Sequence, residues 1–177
     1  MKTERRLQQP LVGILMGSDT DLPVMLEAGR ALEKFEIPYE MEVISAHRSP
    51  ARTHEYASTA AKRGLKALIV GAGGAAHLAG VVAALTILPV IGVPMATTAL
   101  NGMDSLLSIV QMPGGIPVAT MAIDKPGAVN AAILVAEILA LSDPKMAQRL
   151  AAHKEELANS VEEKNARLKQ KIAESSK

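Results

Sequence analysis

The sequence predicts an α/β fold of three layers, a five-stranded parallel sheet between helices, followed by a long C-terminal helix. Three observations predict it. Short β-branched or apolar runs alternate with segments of helical periodicity, the pattern of strands joined by crossover helices. The polar and glycine-rich segments fall just after the first three strands, where ligands bind in open parallel sheets. With one Phe, two Tyr and no Trp, the core must be Ala, Val, Ile, Leu and Met, which suits helices packed closely on a sheet.

Leu11 to Met16 is the first expected strand, ended by Gly17. A helix follows with Leu22, Met25, Leu26, Gly29 and Leu32 at helical spacing, running to about Phe35. Pro38 separates it from a second strand, Tyr39 to Ile44. The next helix begins near Pro50, since proline suits a first helical turn, and stops at Gly64. Ala67 to Val70 reads as the third strand, breaking into Gly71-Ala72-Gly73-Gly74. A short apolar helix from about Ala76 to Leu85 leads to a fourth strand, Val90 to Val93. Asp104 to Gln111 is expected to be helical, Val118 to Ile123 to be the fifth strand, and Gly127 to Leu141 to be an alanine-rich helix buried on most sides. This alternation makes residues 10–143 a flavodoxin-like α/β/α sandwich, one domain. Residues 144–177 differ: Leu150, Leu157, Val161, Leu168 and Ile172 form a narrow apolar stripe on a helix of about eight turns. Such a stripe is expected to pack on a neighbouring subunit, with a solvated tail as the rival beyond about Val161.

Composition narrows the function classes. Hydrophobic residues make up 49% and charged residues 21%, so the 177-residue chain is globular rather than disordered. It has no cysteine, which excludes disulfides, thiolate metal sites and cysteine nucleophiles. The start, with Lys2, Glu4, Arg5 and Arg6, has no apolar run behind its basic head, and glycine and proline break every apolar stretch before it could span a bilayer. A cytoplasmic protein without membrane contact is expected. Net charge is +1, yet residues 144–177 carry eight Lys/Arg against five Asp/Glu while residues 11–143 carry eight against twelve. With neither a basic face nor aromatic platforms, nucleic acid is not an expected partner. An anionic small molecule would have to be held by a few local groups.

Three segments can supply those groups. Gly17-Ser18-Asp19-Thr20-Asp21 joins a strand to a helix; its amides and the Ser18 hydroxyl could hold a phosphate, and Asp21 could accept from ribose hydroxyls. Simple helix capping by Ser18 or Asp19 explains the same residues equally well. Ser45-Ala46-His47-Arg48-Ser49-Pro50 ends strand two, where Arg48 offers a planar fork for phosphate and His47 a proton carrier near neutral pH. In Gly71-Ala72-Gly73-Gly74-Ala75-Ala76-His77-Leu78 the small residues let backbone amides approach a flat ligand or an oxyanion, while His77 opens the next helix and by itself reads as a structural histidine. The stretch has neither a Walker ending nor the glycine spacing of a dinucleotide fold. Gly102-Met103-Asp104-Ser105 and Gln111 to Pro117 suggest a loop of fixed shape, covering the site, contacting a subunit or simply turning. His54 and His153 have no expected role, and four scattered histidines offer no metal set.

Together, Met16 to Asp21, Ser45 to Pro50, Gly71 to Leu78 and Asp104 to Pro113 resemble the class I N5-carboxyaminoimidazole ribonucleotide mutase family of purine biosynthesis, also called the catalytic subunit of phosphoribosylaminoimidazole carboxylase. The resemblance covers roughly residues 10 to 153. It implies an isomerase that moves a carboxylate from the exocyclic nitrogen to ring carbon C4 of the nucleotide substrate. Ser18 and Arg48, with Gly17, Ser45 and Ala46 beside them, would then bind the 5′-phosphate and Asp21 the ribose. His47 would carry the proton, and Gly71, Ala72, Gly73, Gly74, His77 and Leu78 would hold the carboxylate and aminoimidazole. It also implies a homo-octamer, a functional link to the enzyme that supplies the N-carboxylated substrate, and neither metal nor organic cofactor. Two positions depart from the common pattern: Ser49 replaces a threonine and keeps its hydroxyl, and Ala79 replaces a proline and removes a backbone restraint beside His77. The carboxylases that use free carbon dioxide are the nearest alternative; they usually carry lysine where Arg48 stands and lack the Ala75-Ala76-His77 run. A non-catalytic flavodoxin-like module is more remote, because a flavin would need aromatic walls and a phospho-receiver an aspartate at position 71.

Overall fold

The computed structural model describes residues 9–175; the basic start at Lys2 to Arg6 lies outside the described residues. The chain forms two compact units, the first ending at Ala136 and the second starting at Glu137, so the expected boundary at 143/144 lies inside the second.

In the first unit, β1 (Val12–Met16), β2 (Tyr39–Val43), β3 (Ala67–Gly73), β4 (Val90–Met95) and β5 (Ala119–Thr120) form one sheet in the order β2-β1-β3-β4-β5. Every pairing is parallel. This is the flavodoxin-like order, with its reversal between β1 and β3. The connections are α1 (Leu22–Lys34), α2 (Pro50–Ala60), α3 (Leu78–Leu85) and α4 (Met103–Val110), and α5 (Asp124–Ala140) follows β5. Right-handed crossovers put α1 on one face and α2, α3 and α4 on the other.

The central strands are apolar because both faces are covered. All of β1 is buried, and Leu68, Ile69 and Val70 of β3 expose nothing, each buried side chain contributing about 1.5–3 kcal/mol. Strand β2, at the edge, alternates Glu40 and Glu42 with Tyr39, Met41 and Val43 and stays partly exposed. Helix α1 starts at a proline in its first turn, buries Met25, Ala28, Gly29 and Leu32 at 3.6-residue spacing, and stops before Glu36, whose φ is 58°.

Three strands differ from the sequence expectation by two residues or more, β4 in that it runs past Val93 to Met95. Strand β3 does not stop at Val70: Gly71, Ala72 and Gly73 continue the ladder, opposite Val93, Pro94 and Met95. A side chain at Gly71 would run into Met95 and Met25, so this glycine admits the methionines beneath the sheet. The true turn begins at Gly74, with φ of 62°. Strand β5 shrinks from an expected six-residue run to Ala119–Thr120. The Gly92 carbonyl accepts from Met121 N–H at 2.9 Å, and the residue two places on, which would donate toward the same edge, is Pro94, with no N–H to give. Two helices start slightly off, α3 at Leu78 rather than Ala76 and α5 at Asp124 rather than Gly127.

In the second unit, α6 (Pro144–Ser175) is one continuous 32-residue helix, in place of a frayed tail. Met146 and Leu150 are buried, and every described residue from Val161 onward is exposed. No described helix is long and apolar enough to cross a membrane.

Gly127 supplies a test of packing at the start of α5. A Cβ there would strike the backbone carbonyl of Ala122, which cannot swing aside as a side chain could. Glycine to alanine in a helix ordinarily stabilises by about 1 kcal/mol. Gly127→Ala is expected instead to destabilise by about 1–3 kcal/mol in denaturant unfolding, the usual cost of overpacking; a stabilised variant would show that this contact yields.

Candidate active site

Three turns converge at the carboxyl ends of β1, β2 and β3. They line a cleft of about 320 Å³ with Gly17, Ser18, Thr20 and Asp21, then Ser45 to Arg48, then Ala72, Gly73 and Ala75 to Leu78, and Thr97 from beyond β4. The register sets this convergence: Met16 lies opposite Val43 on one side and Gly71 on the other, so β1 and β2 end level and β3 runs two residues further, to Gly73. The Gly17 N–H donating to Gly71 O at 3.2 Å and the Ile44 N–H donating to Met16 O at 2.9 Å carry the ladder into the turns.

The first turn is a built helix start. The Ser18 hydroxyl accepts from the Thr20 N–H at 3.3 Å, and the Asp21 carboxylate accepts from the Ser18 N–H at 3.2 Å, a capping box over a short 3-10 turn at Asp19–Asp21. The Thr20 hydroxyl adds a third bond, donating to Ser18 Oγ at 2.9 Å. Capping and cleft lining therefore coincide in the same residues. Asp21 is only 4% exposed. Burial pushes its carboxyl above the usual range, the Ser18 N–H pulls the other way, and Asp124 and Asp19 add repulsion.

Two serines close the second turn. Ser49 N–H donates to Ser45 O at 2.8 Å, and Ser49 Oγ accepts from Ser45 N–H at 3.1 Å while donating to Ser45 O at 3.0 Å. Ser45 Oγ in turn accepts from Arg48 N–H at 3.2 Å. The hydroxyl at position 49 is thus what the turn uses, and serine supplies it as threonine would. Pro50 then starts α2. Arg48 reaches across to the first turn, its Nη2 donating to Gly17 O at 3.1 Å.

The third turn brings the two histidines together. Gly74 reverses the chain, Ala76 N–H donates to Gly74 O at 2.8 Å, and His77 occupies the cap position of α3. His47 Nε2 and His77 Nδ1 lie 2.8 Å apart with the rings edge to face at 84°. One nitrogen of that pair must hold the proton and the other accept it, so the contact is a proton-sharing bond between two side chains thirty positions apart in sequence. His77 is therefore half of a pair rather than an isolated structural histidine.

Of the residues singled out from sequence, Gly17, Ser18, Asp21, Ser45, Ala46, His47, Arg48, Ala72, Gly73, His77 and Leu78 all line the cleft. Gly71 and Gly74 do not: the first packs inside β3 and the second turns the chain behind the lining. Thr20, Ala75, Ala76 and Thr97 also line it and were not singled out as contacts. A side chain at Gly73 would strike Thr97, so the glycine makes room for that threonine. Thr97 was discoverable: it follows the carboxyl end of β4, the same edge that supplies the other three turns. In the single chain His47 and Arg48 are exposed, and the cleft is open at that side. Among the described residues, no three His, Asp or Glu side chains are grouped to hold a metal ion.

Known proteins match this chain over nearly its whole length. A family model described as AIR carboxylase matches residues 11–160. The N5-carboxyaminoimidazole ribonucleotide mutase of Pyrococcus horikoshii is 56% identical over 170 residues, 96% of this chain and 95% of that protein. The enzyme of the same name from Bacillus subtilis is 56% identical over 160 residues, 90% of this chain and 99% of that one. The crystal structure of Treponema denticola PurE superposes with a TM-score of 0.81 at 29% identity, covering 90% of this chain and 98% of the other. The chain belongs to the AIR carboxylase family.

Proposed function

We propose that the chain is an N5-carboxyaminoimidazole ribonucleotide mutase, an isomerase of purine biosynthesis. The family matches support the reaction class, and the His47–His77 contact at 2.8 Å supports the assignment of its proton chemistry. In this reading Ser18 and Arg48 bind the 5′-phosphate and Asp21 the ribose. The aminoimidazole and its carboxylate lie over Ala72, Gly73, Ala75 and Ala76, against His77.

The chemistry then needs one proton carried out and back. The bond from the exocyclic nitrogen to the carboxylate carbon breaks, its electron pair stays on nitrogen, and His47 donates a proton there as carbon dioxide leaves. Ring carbon C4 attacks the retained carbon dioxide, and His47 takes the proton that C4 releases. The histidine ends as it began, and the carboxylate has moved without consuming bicarbonate. His77, bonded to His47, orients the ring and sets which nitrogen carries the proton. Carbon dioxide must not escape between the two steps. Because the cleft of one chain is open at His47 and Arg48, a neighbouring subunit is the cover.

A homo-octamer in the cytoplasm completes the reading. Exposed apolar side chains support subunit contact: Leu100, Met103, Leu107 and Val110 are 48–63% exposed along α4 and its approach, and Ile87 is 93% exposed. The tail from Pro144 is assigned to subunit contact as well. The reaction feeding this enzyme must carboxylate the exocyclic nitrogen of the same nucleotide, so a functional link to that carboxylating enzyme follows.

The assay that separates mutase from carboxylase supplies the N-carboxylated nucleotide without bicarbonate and follows the 4-carboxy product. Turnover is expected; turnover only on aminoimidazole ribonucleotide with bicarbonate would overturn the reading. His47→Asn is expected to keep nucleotide binding, measured by calorimetry, and to lower kcat by about 10²–10⁴-fold. A variant near full speed would remove His47 from the proton path.

Asp21 gives a prediction with a sign. A carboxyl raised by burial contributes stability below its unfolded pKa of about 3.8, and that stability is lost as pH rises through the higher folded value. Asp21→Asn removes the buried charge and is expected to raise Tm at pH 7, with the gain shrinking toward pH 4, while raising KM for the nucleotide about tenfold through the lost ribose contact. An unchanged KM would take Asp21 out of the binding site.

A further inference from the structure

The apolar stripe of α6 repeats with a period of eleven: Met146 and Leu150, Leu157 and Val161, Leu168 and Ile172 are three pairs, each four residues apart. Eleven residues are close to three full helical turns, so the stripe winds only slowly around the helix, with the opposite hand to a heptad seam. The first pair is buried, at 5% and 7% exposure, while the other two pairs are 54–60% exposed. The face thus keeps its apolar pattern through two more repeats, where a solvated helix would have no use for it.

Charge along the same two repeats is segregated. Residues 155–163 carry Glu155, Glu156, Glu162 and Glu163 and no Lys or Arg, whereas residues 164–171 carry Lys164, Arg167, Lys169 and Lys171 and no Asp or Glu. The boundary between acid and base falls at the midpoint of the exposed stripe. Two copies laid parallel would stack acid on acid and base on base. Laid antiparallel about a two-fold axis between Lys164 and Asn165, they put Leu157 opposite Ile172, Val161 opposite Leu168, and each acidic block beside a basic one. On one flank of that seam Glu162 comes within reach of Lys169 of the partner subunit.

We propose that the distal half of α6 pairs antiparallel with the same segment of a second copy of this chain, about a two-fold axis at residues 164–165. The partner is a second copy because the segment is complementary to itself in both apolar spacing and charge, the property a two-fold interface requires. The pairing deepens the assignment of the tail to subunit contact and is independent of the catalytic reading, since none of its residues lines the cleft. A seam of four apolar residues per helix over about 22 Å is short for an isolated coiled coil, so it serves as a tie between chains already brought near each other.

The chain's lack of cysteine makes the test clean. In the full-length protein, Val161→Cys, Leu168→Cys and the double variant are oxidised mildly and run without reductant. The two positions lie about 10 Å apart on one helix and cannot bridge within it. The antiparallel register predicts covalent dimer from the double variant at about tenfold the level from either single variant, because only 161 meets 168 across the seam. Equal dimer from the single variants would mean a parallel pair, and no dimer from any would mean a solvated helix or a different protein on this face; each overturns the proposal. Mutase turnover of the same samples reports folding separately. As a second measurement, Glu162→Lys is expected to lower the cross-linking yield in the cysteine background and added Lys169→Glu to restore it, which general surface charge would not do.

Discussion

The fixed register of three parallel strands is the constraint on which the rest of the molecule depends. Strand β1 is paired on both sides, with Met16 opposite Val43 and Gly71, so the turns after β1 and β2 leave the sheet at one height and the turn after β3 leaves it two residues further on. Strands in a sheet stand about 4.8 Å apart, which puts the turns after β2 and β3 within side-chain reach across the turn after β1. His47 and His77 close that distance, and Arg48 ties the second turn back to the first through Gly17 O. A slip of one residue in either pairing would send every side chain of that strand to the other face and separate the histidines. The fully buried β1 and β3 make such a slip costly.

The turns are held by groups that cost little entropy. Short hydroxyl side chains and backbone amides do most of the work: Ser18 and Thr20 in the first turn, Ser45 and Ser49 in the second. Small residues serve a related purpose. Gly71 admits Met25 and Met95 beneath the sheet, and Gly73 admits Thr97 at the cleft. The glycine-rich run is therefore two structures in succession, a strand that others pack against and a single reversal at Gly74. Only part of it lines the cleft.

A buried carboxylate at Asp21 sets stability against its own charge. Its neighbours Asp19 and Asp124 are also acidic, and one backbone N–H is its main support. A carboxyl so arranged loses stability at neutral pH, where it is charged, and it lies in the lining of the cleft. The long C-terminal helix shows a different economy. Over residues 155–171 its charges are sorted along the axis, acidic first and basic after, beside an exposed apolar stripe.

Periodicity and punctuation determined the alternation of five strands and six helices, because period-two and period-3.6 patterns are local properties of the chain. The same reading located the three polar turns, since Gly17, Pro50 and the glycine run interrupt those patterns. It extended to most of the cleft lining, and the four motifs pointed to the family. Tertiary structure decided what depends on distant partners. The end of β3 at Gly73 required β4 alongside it, and the brevity of β5 required the missing N–H of Pro94. Thr97 joined the cleft only because β4 ends beside β3. The bond between His47 and His77 spans thirty residues of sequence, and no local pattern encodes a distance that only the packed sheet sets.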